Sequence, residues 1–255
     1  MTDILTSIQD GVATVTINRP ERRNSVTLAM WRSFGDIFAG LSADRAVRAI
    51  ILTGAGADFS AGADIPEFET VRGDADKSRA YEVAVDYGCA GIANASKPVI
   101  TVNRGYTLGG AAHLSMSADF RFAHTGSVFG IPAARLSIVY GVQATRKLLA
   151  LVGVANAKRI LYSAERFDSR KALEIGFVDA VSEDPMADAL AFARSLSENA
   201  PLSIAGAKYM LNGLTLSTFD AAEAQRLIDE ASASHDYSEG RDAFAAKRPP
   251  KFEGR

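Results

Sequence analysis

Two short glycine loops constrain this chain more than anything else in it: Ser60-Ala61-Gly62-Ala63-Asp64 and Leu108-Gly109-Gly110-Ala111-Ala112-His113. Each follows an apolar run with strand character and opens a stretch with helix character. The first N–H groups of a helix have no partner within it, so two such loops can aim backbone donors from separate parts of the chain at one point.

The rest of the chain alternates in the same way. Gly11-Val12-Ala13-Thr14-Val15-Thr16-Ile17 puts Ala13, Val15 and Ile17 on one face and Thr14 and Thr16 on the other, as a half-buried strand does, and Asn18-Arg19-Pro20 stops it. Thr27 is placed to cap a helix running to about Leu41, with Leu28, Trp31, Phe34 and Phe38 as its core-facing stripe. A buried strand is expected over 47–52, then the first loop, then a polar stretch from Glu67 to Lys77 that reads as a mobile connection. A helix over 78–95, a strand over 99–102, the second loop with a short helix through Ala118, and a strand over 119–122 follow. From Val142 the pattern turns mainly helical, with segments near 142–152, 155–163, 186–199, 201–213, 218–234 and 238–246. This predicts an α/β core over 1–198 followed by a helical region over 199–255.

The loops, with Leu52-Thr53-Gly54-Ala55-Gly56 and Lys97-Pro98-Val99-Ile100 around them, resemble those of the crotonase superfamily, the enoyl-CoA hydratase and isomerase relatives. The resemblance runs from Ile17-Asn18-Arg19-Pro20 to Lys247-Arg248-Pro249-Pro250. It implies a ββα spiral core capped by C-terminal helices that trimerise, in a homotrimer or a dimer of trimers, and a CoA thioester as substrate. Ala63 and Gly110 are then the oxyanion-hole donors. Removing a proton or a carboxylate next to a thioester carbonyl puts negative charge on its oxygen, and losing one preorganised donor costs about 3 kcal/mol in barrier height. The small residues around both loops let the thioester approach. The resemblance also places Ala61, Asp64 and Ile65 along the CoA channel, Arg22 or Arg23 near its phosphates, and Phe244 and Lys247 where relatives complete a CoA site, commonly on a neighbouring subunit. Coenzyme A enters as part of the substrate; no metal or redox cofactor is implied.

Hydratases of this superfamily use two glutamates, and by alignment to their motifs His113 and Ala133 occupy those positions here. Alanine cannot move a proton, so two-glutamate hydration is disfavoured, as is isomerisation through the second glutamate. His113, with an ordinary pKa near 6.5, is a candidate acid or base. Tyr140 matches in position a tyrosine of the methylmalonyl-CoA decarboxylase relatives, and decarboxylation needs an oxyanion hole without a strong base. Arg135 is a candidate for selecting an anionic acyl group, and Asp64 for capping the helix that follows it. The expected activity is enolate-stabilising lyase or isomerase chemistry on an acyl-CoA. Hydration through His113 and a non-catalytic acyl-CoA-binding protein stand as alternatives.

Composition closes other routes. The content is 47% hydrophobic and 23% charged with a net charge of -2, which offers no basic field for nucleic acid. Cys89 is the only cysteine and there are three histidines, so neither an internal disulfide nor a usual structural zinc site can form. The first residues carry no signal-type pattern and no apolar run approaches the roughly 20 residues of a membrane span, so a cytoplasmic protein without membrane contact is expected. Gly54-Ala55-Gly56 follows a strand, but Phe59 breaks the dinucleotide fingerprint and no P-loop motif occurs.

Overall fold

The computed structural model describes residues 2–255. The strands are β1 (Ile4–Gln9), β2 (Val12–Ile17), β3 (Ala49–Gly54), β4 (Val99–Asn103), β5 (Tyr106–Leu108), β6 (Phe120–His124), β7 (Val128–Gly130), β8 (Arg166–Asp168) and β9 (Ala180–Ser182). Between and after them lie the helices α1 (Leu28–Ala43), α2 (Phe68–Val71), α3 (Ala75–Ala93), α4 (Gly110–Ser117), α5 (Val142–Ser163), α6 (Ser169–Glu174), α7 (Pro185–Ser197), α8 (Pro201–Leu216), α9 (Ala221–Ser232) and α10 (His235–Ala245).

The main sheet has the order β1-β2-β3-β4-β6-β9 and is parallel apart from the β1 edge. Parallel strands are covered on both faces, so their sequences are mostly apolar, and every residue from Ala49 to Thr53 and from Val99 to Asn103 is buried. Successive side chains enter opposite cores. Ala13, Val15, Ile50 and Leu52 pack with Trp31, Phe34 and Phe38 of α1 on one side. Val12, Ala49, Ile51 and Ile100 pack with Ala189 and Ala193 of α7 on the other.

A second, smaller sheet follows the order β5-β7-β8. It is extended by single bridges, Ser60 to Thr107 and Val26 to Ala63. In each of these turns the chain leaves the large sheet, adds a short extended piece to the small one, and then enters a helix. This spiral of ββα turns meets the expected fold class, and it explains how two loops far apart in sequence become neighbours. Asn24 reinforces the stacking: its Nδ2 donates to Ala55 O at 2.8 Å and Asp58 O at 2.7 Å while its Oδ1 accepts from Arg19 N.

The helix boundaries carry their sequence logic. Thr27 caps α1 by accepting from Met30 N, as its position predicts, and Asp74 caps α3 through Lys77 N. The expected break between helices near residue 153 is a kink inside α5, where Gly153 takes φ 71°. The polar stretch expected as a mobile connection is instead helical, with a 3-10 turn at Ile65–Glu67, then α2, then the start of α3. Glu67 binds this stretch to α1 by accepting from Leu28 N at 2.8 Å, a carboxylate at a helix N-terminus. No helix among the described residues is long and apolar enough to cross a membrane.

Candidate active site

The donors come first. Val26 N donates to Gly62 O and Asp64 N to Val26 O. In an extended segment alternate groups point to opposite sides, so the N–H of Ala63 turns away from Val26 and toward the second loop. Gly110 is the first residue of α4, and its N–H is one of those a helix leaves unpaired. Neither N–H finds a partner among the described residues. They are close neighbours: a Cβ built on Gly110 would stand 3.5 Å from Ala63 N, and one on Gly62 would stand 3.2 Å from Gly110 N.

Gly62, at φ 98°, holds the loops at this spacing, since a Cβ there would lie 2.4 Å from Leu108 O. Ser60 fixes its own loop through Oγ, which donates to Asn24 O at 2.7 Å and accepts from Gly62 N. A buried set of Thr101, Asn103, Thr107 and Ser115 hydroxyl and amide groups lies beneath α4 and ties that helix to β4 and β5.

The two N–H groups open into a cavity of about 170 Å³. Ala61, Ala63, Gly109 and Gly110 form its wall on the donor side, Trp31, Tyr81 and Val85 give it an apolar floor, and His113, Ala133 and Tyr140 close another side. The arrangement can bind an acyl group with its carbonyl oxygen on two backbone donors.

His113 is buried on α4, and the Nζ of Lys147 on α5 lies 3.3 Å from its Nε2. When Lys147 is an ammonium it has donors and no acceptor, and Nε2 then accepts from it with the ring proton on Nδ1; burial lowers the lysine's own pKa. Burial, and then the nearby lysine, push the imidazole pKa well below its ordinary value. This environment favours the neutral ring over the imidazolium. Lys147 also donates to Ser117 Oγ at 2.7 Å. Cys89, buried nearby, has a thiol pushed up to about 11 by burial, and is inert.

Tyr140 donates its hydroxyl to Gly109 O at 3.1 Å, and burial raises the phenol well above its usual range. That carbonyl belongs to the same peptide group as the Gly110 N–H. The phenol thus polarises one of the two donors. Tyr140, expected as a proton-handling or substrate-orienting group, lines the cavity with its hydroxyl on this carbonyl.

The CoA residues separate. Ala61 and Ile65 line the cavity. Asp64 does not line it; its Oδ2 accepts from Arg19 Nη1 at 2.7 Å and Ser25 Oγ at 3.1 Å, and its side chain makes no capping bond, contrary to the expected cap. Arg22 and Arg23 are exposed and stand outside the cavity, although Arg23 O accepts from Ala61 N and its guanidinium stacks over Tyr106. Phe244 and Lys247, both exposed at the end of α10, do not reach this cavity within one chain. Arg135 is exposed as well.

Two carboxylates and an arginine on the cavity wall have no place in the sequence reading: Glu82, Asp86 and Arg72. The signal was available. Tyr81-Glu82 and Val85-Asp86 repeat an apolar-acidic pair four residues apart, which puts both carboxylates on one face of α3. Glu82 is held by Arg72 Nη1 at 2.8 Å. Asp86 has no hydrogen-bonding or ion-pair partner among the described residues, and burial raises its pKa while Lys147 opposes the rise.

A family model for enoyl-CoA hydratase/isomerase matches residues 7–255. A short-chain-enoyl-CoA hydratase of Clostridium acetobutylicum is 31% identical, with 100% of this chain and 98% of that one covered. A 2,3-dehydroadipyl-CoA hydratase of Escherichia coli is 29% identical, with 100% of both chains covered. Among solved structures, an enoyl-CoA hydratase/carnithine racemase from Magnetospirillum magneticum superposes with a TM-score of 0.93 at 31% identity, covering 100% of this chain and 97% of that one.

Proposed function

Because the chain belongs to the enoyl-CoA hydratase/isomerase family, we propose that it forms and protonates thioester enolates, with the substrate carbonyl oxygen held by the N–H groups of Ala63 and Gly110. The observation that carries this reading is the pair of unpartnered backbone donors facing one small, mostly apolar cavity. Donors fixed before the reaction stabilise charge that develops on oxygen, and they need no reorganisation when it does.

Such a site serves any reaction that passes through the enolate: proton removal and return, movement of a double bond, or loss of a carboxylate. Lyase or isomerase chemistry suits it better than hydration by two carboxylates, since position 133 is alanine and Glu82 is engaged by Arg72. Water addition is a second reading, supported by the hydratase names of the relatives. His113 is poorly suited to drive it alone, because burial beside Lys147 disfavours the imidazolium that taking a proton from water would form.

The test is mass spectrometry of an acyl-CoA panel, comprising enoyl, 3-hydroxyacyl, malonyl-type and saturated esters, incubated with the protein in heavy water. Deuterium uptake next to the thioester, a moved double bond or loss of carbon dioxide is the expected result, and each selects a branch of the reading. Gain or loss of water selects hydration. Tight binding with no mass change in any ester would leave an acyl-CoA-binding protein without turnover and overturn the proposal.

A further inference from the structure

We infer that Asp86 is the catalytic acid and base of this site, the group that takes the proton from the carbon next to the thioester carbonyl and returns it. The inference rests on the enolate reading above and adds the residue that it lacks.

Every other titratable group on the cavity wall is committed elsewhere. Glu82, on the same helix, is paired with Arg72, whose guanidinium also stacks over the Phe68 and Tyr81 rings. Tyr81 accepts from Trp31 Nε1 at 2.9 Å, and its phenol is pushed up to about 12 by burial. His113 on α4 is paired with Lys147, and Tyr140 donates to Gly109 O. Asp86, half-buried, keeps both carboxylate oxygens free of protein partners on the wall of the same cavity into which Ala63 and Gly110 point their N–H groups.

The charges around it suit the exchange of a proton. Lys147 on α5 is the cation that acts on Asp86 most strongly, and it is buried. It keeps the carboxylate from being held protonated by burial alone, without the short contact that would lock it as an ion. Cys89 on α3 stays a neutral thiol and adds no charge. A carboxylate raised above its usual range and free of partners can both take a proton and return it.

In the step itself, the Asp86 carboxylate accepts the α-proton. The electron pair of the broken C–H bond becomes the enolate double bond, and the carbonyl π pair moves onto the oxygen facing Ala63 and Gly110. Protonated Asp86 then returns the proton, to the same carbon for simple exchange or to the γ-carbon of an unsaturated chain for isomerisation. Where the enolate instead arises by loss of carbon dioxide, protonated Asp86 supplies the proton to the carbon left behind.

The experiment follows deuterium uptake into butanoyl-CoA and 3-butenoyl-CoA in heavy water, with calorimetric binding of both esters, for the wild type, Asp86→Asn and Asp86→Ala. Asp86→Asn is expected to bind both esters within about twofold of the wild type and to exchange about 100-fold more slowly or worse, the loss typical of a removed general base. In the wild type the rate should rise with pH through a midpoint above the ordinary carboxylate range, and that limb should vanish in Asp86→Asn. Added formate should restore part of the rate to Asp86→Ala, which a merely structural role would not permit. Exchange by Asp86→Asn at the wild-type rate would overturn the assignment of Asp86 and leave the enolate reading intact. Absence of exchange in the wild type, with both esters bound and malonyl-type esters equally unchanged, would overturn the two together.

Discussion

At the scale of the residue, the peptide group between Gly109 and Gly110 shows how a side chain can act on a reaction that it does not touch. Its carbonyl accepts from Tyr140 Oη, and its N–H faces the cavity. A donor on the oxygen of an amide draws charge from its nitrogen and strengthens the N–H, by about 10–30% for one bond. Tyr140→Phe should therefore lower kcat severalfold while KM changes little, because the polarised N–H gains most when the oxygen carries full charge. Folding stability should drop by about 1 kcal/mol, since a buried carbonyl loses one hydrogen bond. Steady-state kinetics and urea unfolding of the variant check both. An unchanged kcat would show that the phenol only packs.

At the scale of the element, the oxyanion donors depend on how closely two turns of the spiral stack. Gly62 is the tightest point: it sits at φ 98°, and an added Cβ would fall 2.4 Å from Leu108 O. Gly62→Ala should therefore push the loops apart, at a cost of about 1–3 kcal/mol in stability for the forced backbone, and should reduce turnover far more than a change remote from the cavity. Parallel thermal melts and exchange assays check this; a variant as active as the wild type would mean that the donors do not need this spacing. The same element shows what the sequence could reveal. Glycine and alanine in both loops, β3, β4 and the Thr27 cap follow from local pattern, because each is a residue choice forced by backbone geometry or burial. The short strands β5, β7, β8 and β9 span three residues each and carry no readable period. Asp86 and Lys147 were illegible as a pair for a different reason: they lie on α3 and α5, and only the tertiary fold sets them within each other's field. His113 was visible by position, but its tautomer depended on that same lysine.

At the scale of the whole molecule, the C-terminal helices are fastened to the spiral by buried polar groups. Lys208 of α8 reaches Asp119 at 2.8 Å and the carbonyl of Lys97 at 3.1 Å, while Asp119 also accepts from Val99 N. Arg48 donates to Ser197 O and Phe252 O, and the Asp236 carboxylate receives the N–H groups of Glu253 and Gly254. This anchoring fixes α10 in a place where Phe244 is 89% exposed. Leu211, Leu214, Val142 and Tyr162 are also largely exposed. The homotrimer or dimer of trimers that the resemblance implies would cover such faces and would let Phe244 and Lys247 of one copy approach the cavity of the next. Light scattering should then give a mass of three or six times 27.1 kDa. Phe244→Glu should weaken assembly and raise KM for the CoA ester together, since both losses would come from the same displaced helix end. A monomeric wild type with full activity would refute the assembly and confine the whole CoA site to one chain.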